Sequence, residues 1–284
     1  MKIAITGSSG FIGRYLVTEL KKNYQNELIL LDITQGVDLC NWALIKDIKA
    51  DLFIHLANKS FVPDSYTNPY SFYSINYNST LNVLELARLN CAKVIYLSSY
   101  IYGTPQYLPI DEEHPTQAFN PYAQTKLICE ELCRGYTRDF HVPIVIFRPF
   151  NIYGYGQSSS FLLPTMISQL VNNYIIVKDD RPKRDYIHVL DVVNAIKLAI
   201  HYQPQNDLEI FNIGSGISYS VKEIAEILIK LSGQNIAYHS TGEQRPCEVL
   251  DTIADIKKVS KLGWKPEISL LDGLSELLHY ENIL

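Results

Sequence analysis

Three glycines stand between an apolar run and a helical pattern at the start of the chain, in KIAITGSSGFIGRYLVTELKK (residues 2–22). A strand, a glycine loop and a helix in direct succession constrain the fold, because glycine tolerates positive φ and close backbone approach. The helix that follows begins with unpaired N–H groups and partial positive charge, which suit a pyrophosphate. We therefore predict a dinucleotide site, the alternative being a tight turn without a ligand. The residues predicted to contact the dinucleotide at this loop are Gly7, Gly10, Phe11, Ile12 and Gly13.

Strand-like and helical patterns alternate through the first half of the chain. Nearly continuous apolar runs are typical of strands whose sheet is covered by helices on both faces. The predicted strands are Lys2–Thr6, Glu27–Asp32, Asp51–Ala57, Lys93–Ser99 and Pro143–Pro149, and the predicted helices are Phe11–Lys22, Ser74–Leu89 and Pro121–Phe140. This repetition predicts an α/β fold with a Rossmann-like, doubly wound parallel sheet.

The rhythm of the sequence changes after Asn151, where a loop precedes a helix near Phe161–Asn172 and a short strand near Tyr174–Lys178. We predict an NAD-binding domain over residues 1–150 that also includes about 187–213. Residues 151–186 and 214–284 are predicted to form a smaller C-terminal substrate-binding lobe.

Composition narrows the class of protein. Of the 284 residues 47% are hydrophobic and 19% charged, a balance that supports a large core. The net charge of −5 offers no basic field to nucleic acid or an anionic membrane. The five cysteines and seven histidines show no metal-ligand spacing. Because we find neither a signal peptide nor an apolar run of about 20 residues, we expect a cytoplasmic protein that binds no metal, nucleic acid or membrane.

The second predicted strand ends at Asp32. In dinucleotide-binding folds a carboxylate at this place binds the adenosine ribose diol and repels a 2′-phosphate. NAD(H) is therefore the favoured cofactor, and NADP(H) stays open.

A tyrosine and a lysine four residues apart begin the predicted helix in NPYAQTKLICEEL (residues 120–132). Tyr122 and Lys126 share a helix face, and a nearby ammonium lowers the phenol pKa from its usual value of ~10. The pair suits proton exchange with an alcohol during hydride transfer. The other pair with this spacing, Tyr174 and Lys178, falls on a predicted strand, where four residues span about 13 Å and cannot share a proton.

These motifs together resemble the extended short-chain dehydrogenase/reductases, the nucleotide-sugar epimerase/dehydratase family. The resemblance runs from Lys2 to about Tyr280. It implies an NAD(P)-dependent oxidoreductase acting on a nucleotide sugar, with Tyr122 and Lys126 as catalytic residues that also contact the cofactor. It further implies a homodimer formed through the helix that carries Tyr122 and a neighbouring helix.

The segment SSYIYG carries the third catalytic group that the resemblance implies. The family's catalytic Ser or Thr lies four residues before the Tyr of a Tyr-Gly dipeptide, and counting back from Tyr102 gives Ser98. Ser98 and Ser99 are both expected to contact the substrate, the alternative being a pair that caps the strand end. Dehydratases of the family usually carry Asp-Glu after this residue, and Ser99-Tyr100 here argues against a 4,6-dehydratase.

Other matched segments imply further contacts. On the cofactor side the implied residues are Asp38, Leu39, Ala57 and Asn76, the last with polar helix surface as its alternative. On the substrate side they are Ser65, Asn151, Arg184 and Arg245, the two arginines being suited to bidentate phosphate contacts. His188 is expected to be structural.

Three reactions share this apparatus: epimerisation at C4, reduction of a 4-keto sugar and decarboxylation of a sugar acid. FNIYGYGQSSSFLLPTMISQL (residues 150–170) is similar to the segment of 4-keto-6-deoxy-sugar reductases in which a short loop leads directly into a helix. We therefore favour reduction of a nucleotide-linked 4-keto-6-deoxy sugar at C4, with a UDP-hexose-type C4 epimerase as the alternative. A non-enzymatic NAD-binding sensor is the alternative of a different class, although such proteins typically lose the Tyr or the Lys.

Overall fold

The computed structural model of the protein describes residues 1–22, 26–244 and 248–283. Its strands are β1 (Lys2–Thr6), β2 (Glu27–Leu31), β3 (Leu52–His55), β4 (Lys93–Leu97), β5 (Ile144–Pro149), β6 (Asn151–Tyr153), β7 (Tyr174–Val177), β8 (Lys183–His188), β9 (Leu208–Ile213), β10 (Ser218–Ser220) and β11 (Ala237–Ser240). Its α-helices are α1 (Phe11–Lys21), α2 (Trp42–Ile45), α3 (Val62–Thr67), α4 (Pro69–Asn90), α5 (Pro121–Phe140), α6 (Leu162–Leu170), α7 (Val189–His201), α8 (Val221–Ser232), α9 (Lys257–Ser260) and α10 (Leu270–Tyr280).

A six-stranded sheet with the order β2-β1-β3-β4-β5-β9 forms the centre of the first part of the chain. The β1-β2, β1-β3, β3-β4 and β4-β5 pairings are parallel. The strand order reverses between β1 and β3, and ligands of open α/β sheets bind beyond the carboxyl ends of the strands at such a point. Thr6 and His55, the last residues of these two strands, are register partners. The predicted α/β, Rossmann-like class is confirmed.

The chain divides into two units, each discontinuous in sequence. Unit 1 comprises Met1–Gly103, Pro115–Pro149 and Val193–Phe211, and unit 2 comprises Thr104–His114, Phe150–Val192 and Asn212–Leu284. Residues 104–114, which we placed in the first domain, thus group with unit 2. The reason is a set of backbone bonds to Ile110: it donates to Ile253 O at 2.7 Å and accepts from Asp255 N at 2.7 Å.

Unit 1 has its core between the sheet and the helices that cover it. Phe53, Val94 and Ile146 from three neighbouring strands pack with Val83 of α4 and Cys133 of α5, all fully or nearly fully buried. Local sequence also fixes where α5 begins, since Asn120 Oδ1 caps Ala123 N at 2.7 Å and proline occupies the first turn.

Unit 2 contains a three-stranded sheet, β10-β8-β6, and a parallel β11-β7 pair. Its core joins α6, α8 and α10 through buried side chains such as Met166, Leu228 and Leu274. The helix α7 begins at Val189, directly after the last residue of β8, His188. None of the helices in the described ranges has the length and hydropathy that a bilayer span requires.

Candidate active site

The glycine loop between β1 and α1 is shaped so that larger residues do not fit. Gly7 has φ +66°, and a Cβ there would lie 2.9 Å from Ala57 N and Cα. A Cβ on Gly13 would lie 2.1 Å from Gly7 O. Gly10 precedes α1 in an extended conformation, and among the described residues no side chain caps this helix N-terminus. The loop therefore presents backbone N–H groups where a phosphate would be held.

Ser8 gives a second indication at the same loop. Its side chain is 4% exposed, and its Oγ has no hydrogen-bond partner within residues 1–22, 26–244 and 248–283. Buried hydroxyls are ordinarily paired. The backbone N–H groups of the glycine loop and the unpaired Ser8 hydroxyl both fit a dinucleotide diphosphate at the predicted place.

Asp32 lies at the end of β2, beside the glycine loop. Its carboxylate accepts hydrogen bonds from Ser9 N at 2.9 Å, Thr34 N at 3.0 Å and Thr34 Oγ1 at 2.8 Å. Burial acts to raise the pKa of Asp32, but these bonds outweigh it and hold the pKa below its usual value. Asp32 is thus ionised at neutral pH, as a ribose-binding carboxylate has to be.

A buried chain of hydrogen bonds holds the end of β3 against β1. Thr6 Oγ1 accepts from Leu56 N and Ala57 N, each at 3.1 Å, and contacts His55 Nδ1 at 2.7 Å. His55 Nε2 contacts Thr80 Oγ1 at 3.0 Å, and burial lowers the pKa of His55 to about 3. His55 is therefore neutral, and the network fixes the backbone of Ala57 under Gly7.

The side chain of Asn76 is committed to the protein itself. Its Oδ1 accepts from Lys59 N at 2.8 Å, and its Nδ2 donates to Lys59 O at 3.1 Å and Thr125 Oγ1 at 2.9 Å. Asn76 is completely buried. These bonds join the segment after β3 to α5. The predicted contact of Asn76 with a cofactor stays a prediction.

Three other residues predicted at the site lie in unit 1. Asp38 accepts from Cys40 N at 2.9 Å, and Leu39 is a core residue whose carbonyl accepts from Asn82 Nδ2 at 2.7 Å. Ser65 is fully buried, and its hydroxyl donates to Val62 O at 2.6 Å. The predicted substrate contact of Ser65 stays a prediction.

Tyr122 begins α5 and is hydrogen-bonded to the side chain of Ser99. Burial raises the pKa of Tyr122 to about 12, while the bond to Ser99 acts in the opposite direction and the charge of Tyr100 adds to the rise. The expected lowering by Lys126 therefore does not decide the pKa of this phenol, because burial is the larger effect. Tyr122 is protonated at neutral pH.

Lys126 lies one helical turn after Tyr122 and is 3% exposed. Its Nζ donates to Leu97 O at 2.7 Å and lies 5.9 Å from the centre of the Tyr122 ring. Burial lowers the pKa of Lys126 to about 8, although the nearby Glu130 carboxylate and two cysteines oppose this shift. The ammonium is thus present at neutral pH and is tied to the end of β4.

Ser98 and Ser99 face different surroundings. The Ser98 hydroxyl, 3% exposed, donates to Glu130 Oε1 at 2.6 Å, whereas the Ser99 hydroxyl pairs with Tyr122. The contacts therefore favour Ser99 over Ser98 as the hydroxyl that acts beside Tyr122. The assignment of Ser98 stays a prediction, now with a competitor one residue away.

The predicted substrate residues of unit 2 lie on neighbouring strands. Asn151 begins β6 and donates to Asp185 O at 3.4 Å. Arg184 in β8 donates to Lys183 O and Val249 O at 2.8 and 2.7 Å and pairs with Glu248, so its guanidinium is engaged within unit 2. Arg245 lies outside the described residues. Within the described residues, no group of three or more His, Cys, Asp or Glu side chains could hold a metal ion.

The family model for the "NAD dependent epimerase/dehydratase family" matches residues 3–214. The chain belongs to this family. It is 31% identical to GDP-6-deoxy-D-mannose reductase of Pseudomonas aeruginosa, over 98% of this chain and 96% of that protein. It is 29% identical to UDP-glucose 4-epimerase of Lactobacillus helveticus, over 96% and 94%. A solved structure of RMD from Pseudomonas aeruginosa complexed with NADPH superimposes with a TM-score of 0.89 at 27% identity, covering 100% of this chain and 99% of that one.

Membership of the family confirms the resemblance and the assignment to NAD(P)-dependent enzymes that act on nucleotide sugars. Two residues next to the site, Glu130 and Arg148, were not predicted from the sequence. They form a buried ion pair, and Glu130 Oε1 accepts a hydrogen bond from Ser98. A signal was available, because Glu130 follows Lys126 by one turn on the face of α5 that must be buried, and Arg148 interrupts the apolar run of β5. Charged residues at core positions require partners.

Proposed function

We propose that the protein reduces or oxidises a nucleotide-linked sugar at C4, with Tyr122 exchanging the proton of the C4 oxygen. The observation that carries this proposal is the arrangement of Ser99, Tyr122 and Lys126 on the carboxyl side of β4. A bound nicotinamide would supply or accept the hydride. The glycine loop and Asp32 would hold the dinucleotide.

The protonation state of Tyr122 is compatible with reduction. A phenol with a pKa of about 12 is an acid at neutral pH, ready to protonate an oxygen that gains charge as hydride arrives. Ser99 would hold the carbonyl oxygen beside the phenol, and the Lys126 ammonium would stabilise the phenolate left behind.

Reduction of a nucleotide-linked 4-keto-6-deoxy sugar is the reaction we favour. GDP-6-deoxy-D-mannose reductase is among the relatives that match nearly the whole chain. The short loop expected after Gln157 is also present, since α6 begins at Leu162. Ser99-Tyr100 at the end of β4 lacks the acid pair of the dehydratases.

C4 epimerisation of a UDP-hexose is the second candidate, supported by the similarity to UDP-glucose 4-epimerase over a comparable length. An epimerase returns the hydride to the other face of the same sugar and consumes no cofactor. The same site residues serve both reactions, so a product analysis has to decide.

A panel of nucleotide sugars distinguishes these functions. The purified protein would be incubated with 4-keto-6-deoxy sugars linked to GDP, dTDP or UDP plus NADH or NADPH, and with UDP-hexoses without added cofactor. Loss of absorbance at the nicotinamide band with a 4-keto sugar supports the reductase. Interconversion of UDP-hexoses would establish the epimerase instead, and dinucleotide binding without turnover of any substrate would favour the sensor.

A further inference from the structure

A buried ion pair lies next to the proposed catalytic groups. Arg148 Nη2 and Nε donate to Glu130 Oε2 and Oε1 at 2.6 and 3.0 Å, and both side chains are 2% exposed. The paired geometry satisfies both carboxylate oxygens and removes the cost of an isolated buried charge. Neither residue has a part in the proton exchange described above.

The ion pair also binds the segment that follows β4. Ser98 Oγ donates to Glu130 Oε1 at 2.6 Å, and Arg148 Nη1 donates to the Tyr102 hydroxyl at 3.0 Å. The Arg148 guanidinium lies over the Tyr102 ring, 5.0 Å from its centre. One charge pair thus connects α5, β5 and residues 98–102.

Backbone pairing determines what this connection does to Ser99. Ser98 N donates to Phe147 O at 2.8 Å and Tyr100 N donates to Pro149 O at 3.1 Å, so the segment continues alongside β5 in an extended form. Successive side chains of an extended segment point to opposite sides. This backbone pairing sets Ser99 on the side opposite to Ser98, where its side chain lies beside Tyr122. The bond from Ser98 to Glu130 anchors the segment at this place.

The charge of Arg148 also keeps Glu130 from an alternative partner. Lys126 and Glu130 are four residues apart on α5, the spacing at which lysine and glutamate ordinarily pair. Instead, Lys126 Nζ donates to Leu97 O while Arg148 occupies the carboxylate. Lys126 therefore stays at the end of β4.

We propose that Glu130 is a positioning residue: by binding Ser98 it anchors the segment that carries Ser99 beside Tyr122, and Arg148 neutralises it in the core. This inference rests on the proposed function for its kinetic consequences. Its geometric consequence, the contact between Ser99 and Tyr122, does not depend on which sugar is the substrate.

Two double variants separate positioning from simple loss of charge. Glu130→Gln with Arg148→Met keeps an acceptor oxygen for Ser98 but removes both charges, whereas Glu130→Met with Arg148→Met removes the acceptor too. A displacement of a catalytic group by about 1 Å can lower the rate about 100-fold. We therefore expect kcat to fall about 10- to 100-fold in the Met/Met variant and in Ser98→Ala. The Gln/Met variant should recover most of this loss, while KM and the NADH dissociation constant change little in all three.

A crystal structure of Ser98→Ala tests the geometry without turnover. We expect the distance from Ser99 Oγ to the Tyr122 hydroxyl to exceed hydrogen-bond reach. An intact contact, or equal rates for the Gln/Met and Met/Met variants, would overturn the inference, as would full activity of Ser99→Ala alongside an inactive Ser98→Ala. If the wild-type protein turned over no nucleotide sugar, the proposed function would fail, and the crystal structure would still decide the role of Glu130.

Discussion

The side chain of Ser99 is hydrogen-bonded to the phenol of Tyr122, while the preceding serine turns its hydroxyl into the core. This relationship joins the end of β4 to the first turn of α5. It provides a hydroxyl and an acid at one place, next to a buried ammonium.

Tyr122→Phe should abolish turnover while leaving NADH binding in place. The change removes only the phenol oxygen, and general acid–base groups typically contribute about 10²- to 10⁴-fold to the rate. Turnover of the substrate found in the panel, together with a fluorescence titration of NADH, measures both effects. The control is Tyr66→Phe, which removes an exposed phenol that bonds Phe119 O at 3.3 Å. Full activity of Tyr122→Phe would rule out the phenol as the acid.

The reductive rate should decline as the pH rises through about 8. Burial lowers the pKa of Lys126 from 10.5 to about 8, so the ammonium is present below this pH and is lost above it. Tyr122, with a pKa of about 12, remains protonated across the same range. In Lys126→Arg the charge persists, and the decline near pH 8 should disappear even if the rate is lower. A wild-type profile that stays flat to pH 10 would contradict this assignment.

Gly13→Ala should weaken dinucleotide binding. The new methyl group would meet Gly7 O at 2.1 Å, and relieving such a contact has to shift the loop backbone. Overpacking of this kind typically costs about 1–3 kcal/mol, which corresponds to about 5- to 150-fold in affinity if the loop alone bears it. Gly135→Ala, where the added Cβ has nothing within 4 Å, is the matched control and should bind NADH like the wild type. Equal affinities for the two variants would show that the loop holds no dinucleotide.

Asp32→Ser should shift cofactor preference toward NADPH. The ionised carboxylate is expected to repel a 2′-phosphate, and each 1.4 kcal/mol of repulsion removed is worth about tenfold. We therefore expect the ratio of kcat/KM for NADH to that for NADPH to fall by about tenfold or more. If the wild type preferred NADPH and Asp32→Ser left this preference unchanged, Asp32 would not be the residue that contacts the adenosine ribose.

Lys93→Met should destabilise unit 1 without touching the proposed active site. Lys93 Nζ donates to the carbonyls of Ala199, Ile200 and Tyr202 at 2.7–2.8 Å, which closes the C-terminal end of α7. A buried acceptor left without a donor costs about 1–3 kcal/mol. We expect the free energy of unfolding to fall by at least this amount, and urea denaturation measures the change. Lys2→Met, at an exposed pair with Glu27, should change stability by less than about 0.5 kcal/mol.

Elements governed by local signals were predictable from the sequence. The bounds predicted for Lys2–Thr6 and Pro121–Phe140 agree with β1 and α5, because an apolar run before glycines and an Asn-Pro helix start are encoded within a few residues. The Tyr174–Lys178 pair also falls where expected, since Tyr174 begins β7.

Elements fixed by distant contacts were not predictable in this way. β8 is a strand because β6 and β10 pair with it from either side. The sequence of Lys183–His188 contains no pattern that predicts these partners. The choice between Ser98 and Ser99 likewise depends on Glu130, which lies on another element. The pKa of Tyr122 depends on burial, which spacing along a helix does not reveal.

The sixth strand of the central sheet has a practical consequence. β9 and the helix capped by Lys93 come from residues near 190–213, long after the chain has left unit 1 at Pro149. A fragment that stops at Pro149 would carry the glycine loop, Tyr122 and Lys126, yet it would expose the edge of β5 and leave the Lys93 ammonium without the carbonyls that it binds. Anyone seeking a minimal dinucleotide-binding piece of this protein has to join residues 1–149 to 193–213 by a linker rather than truncate the gene.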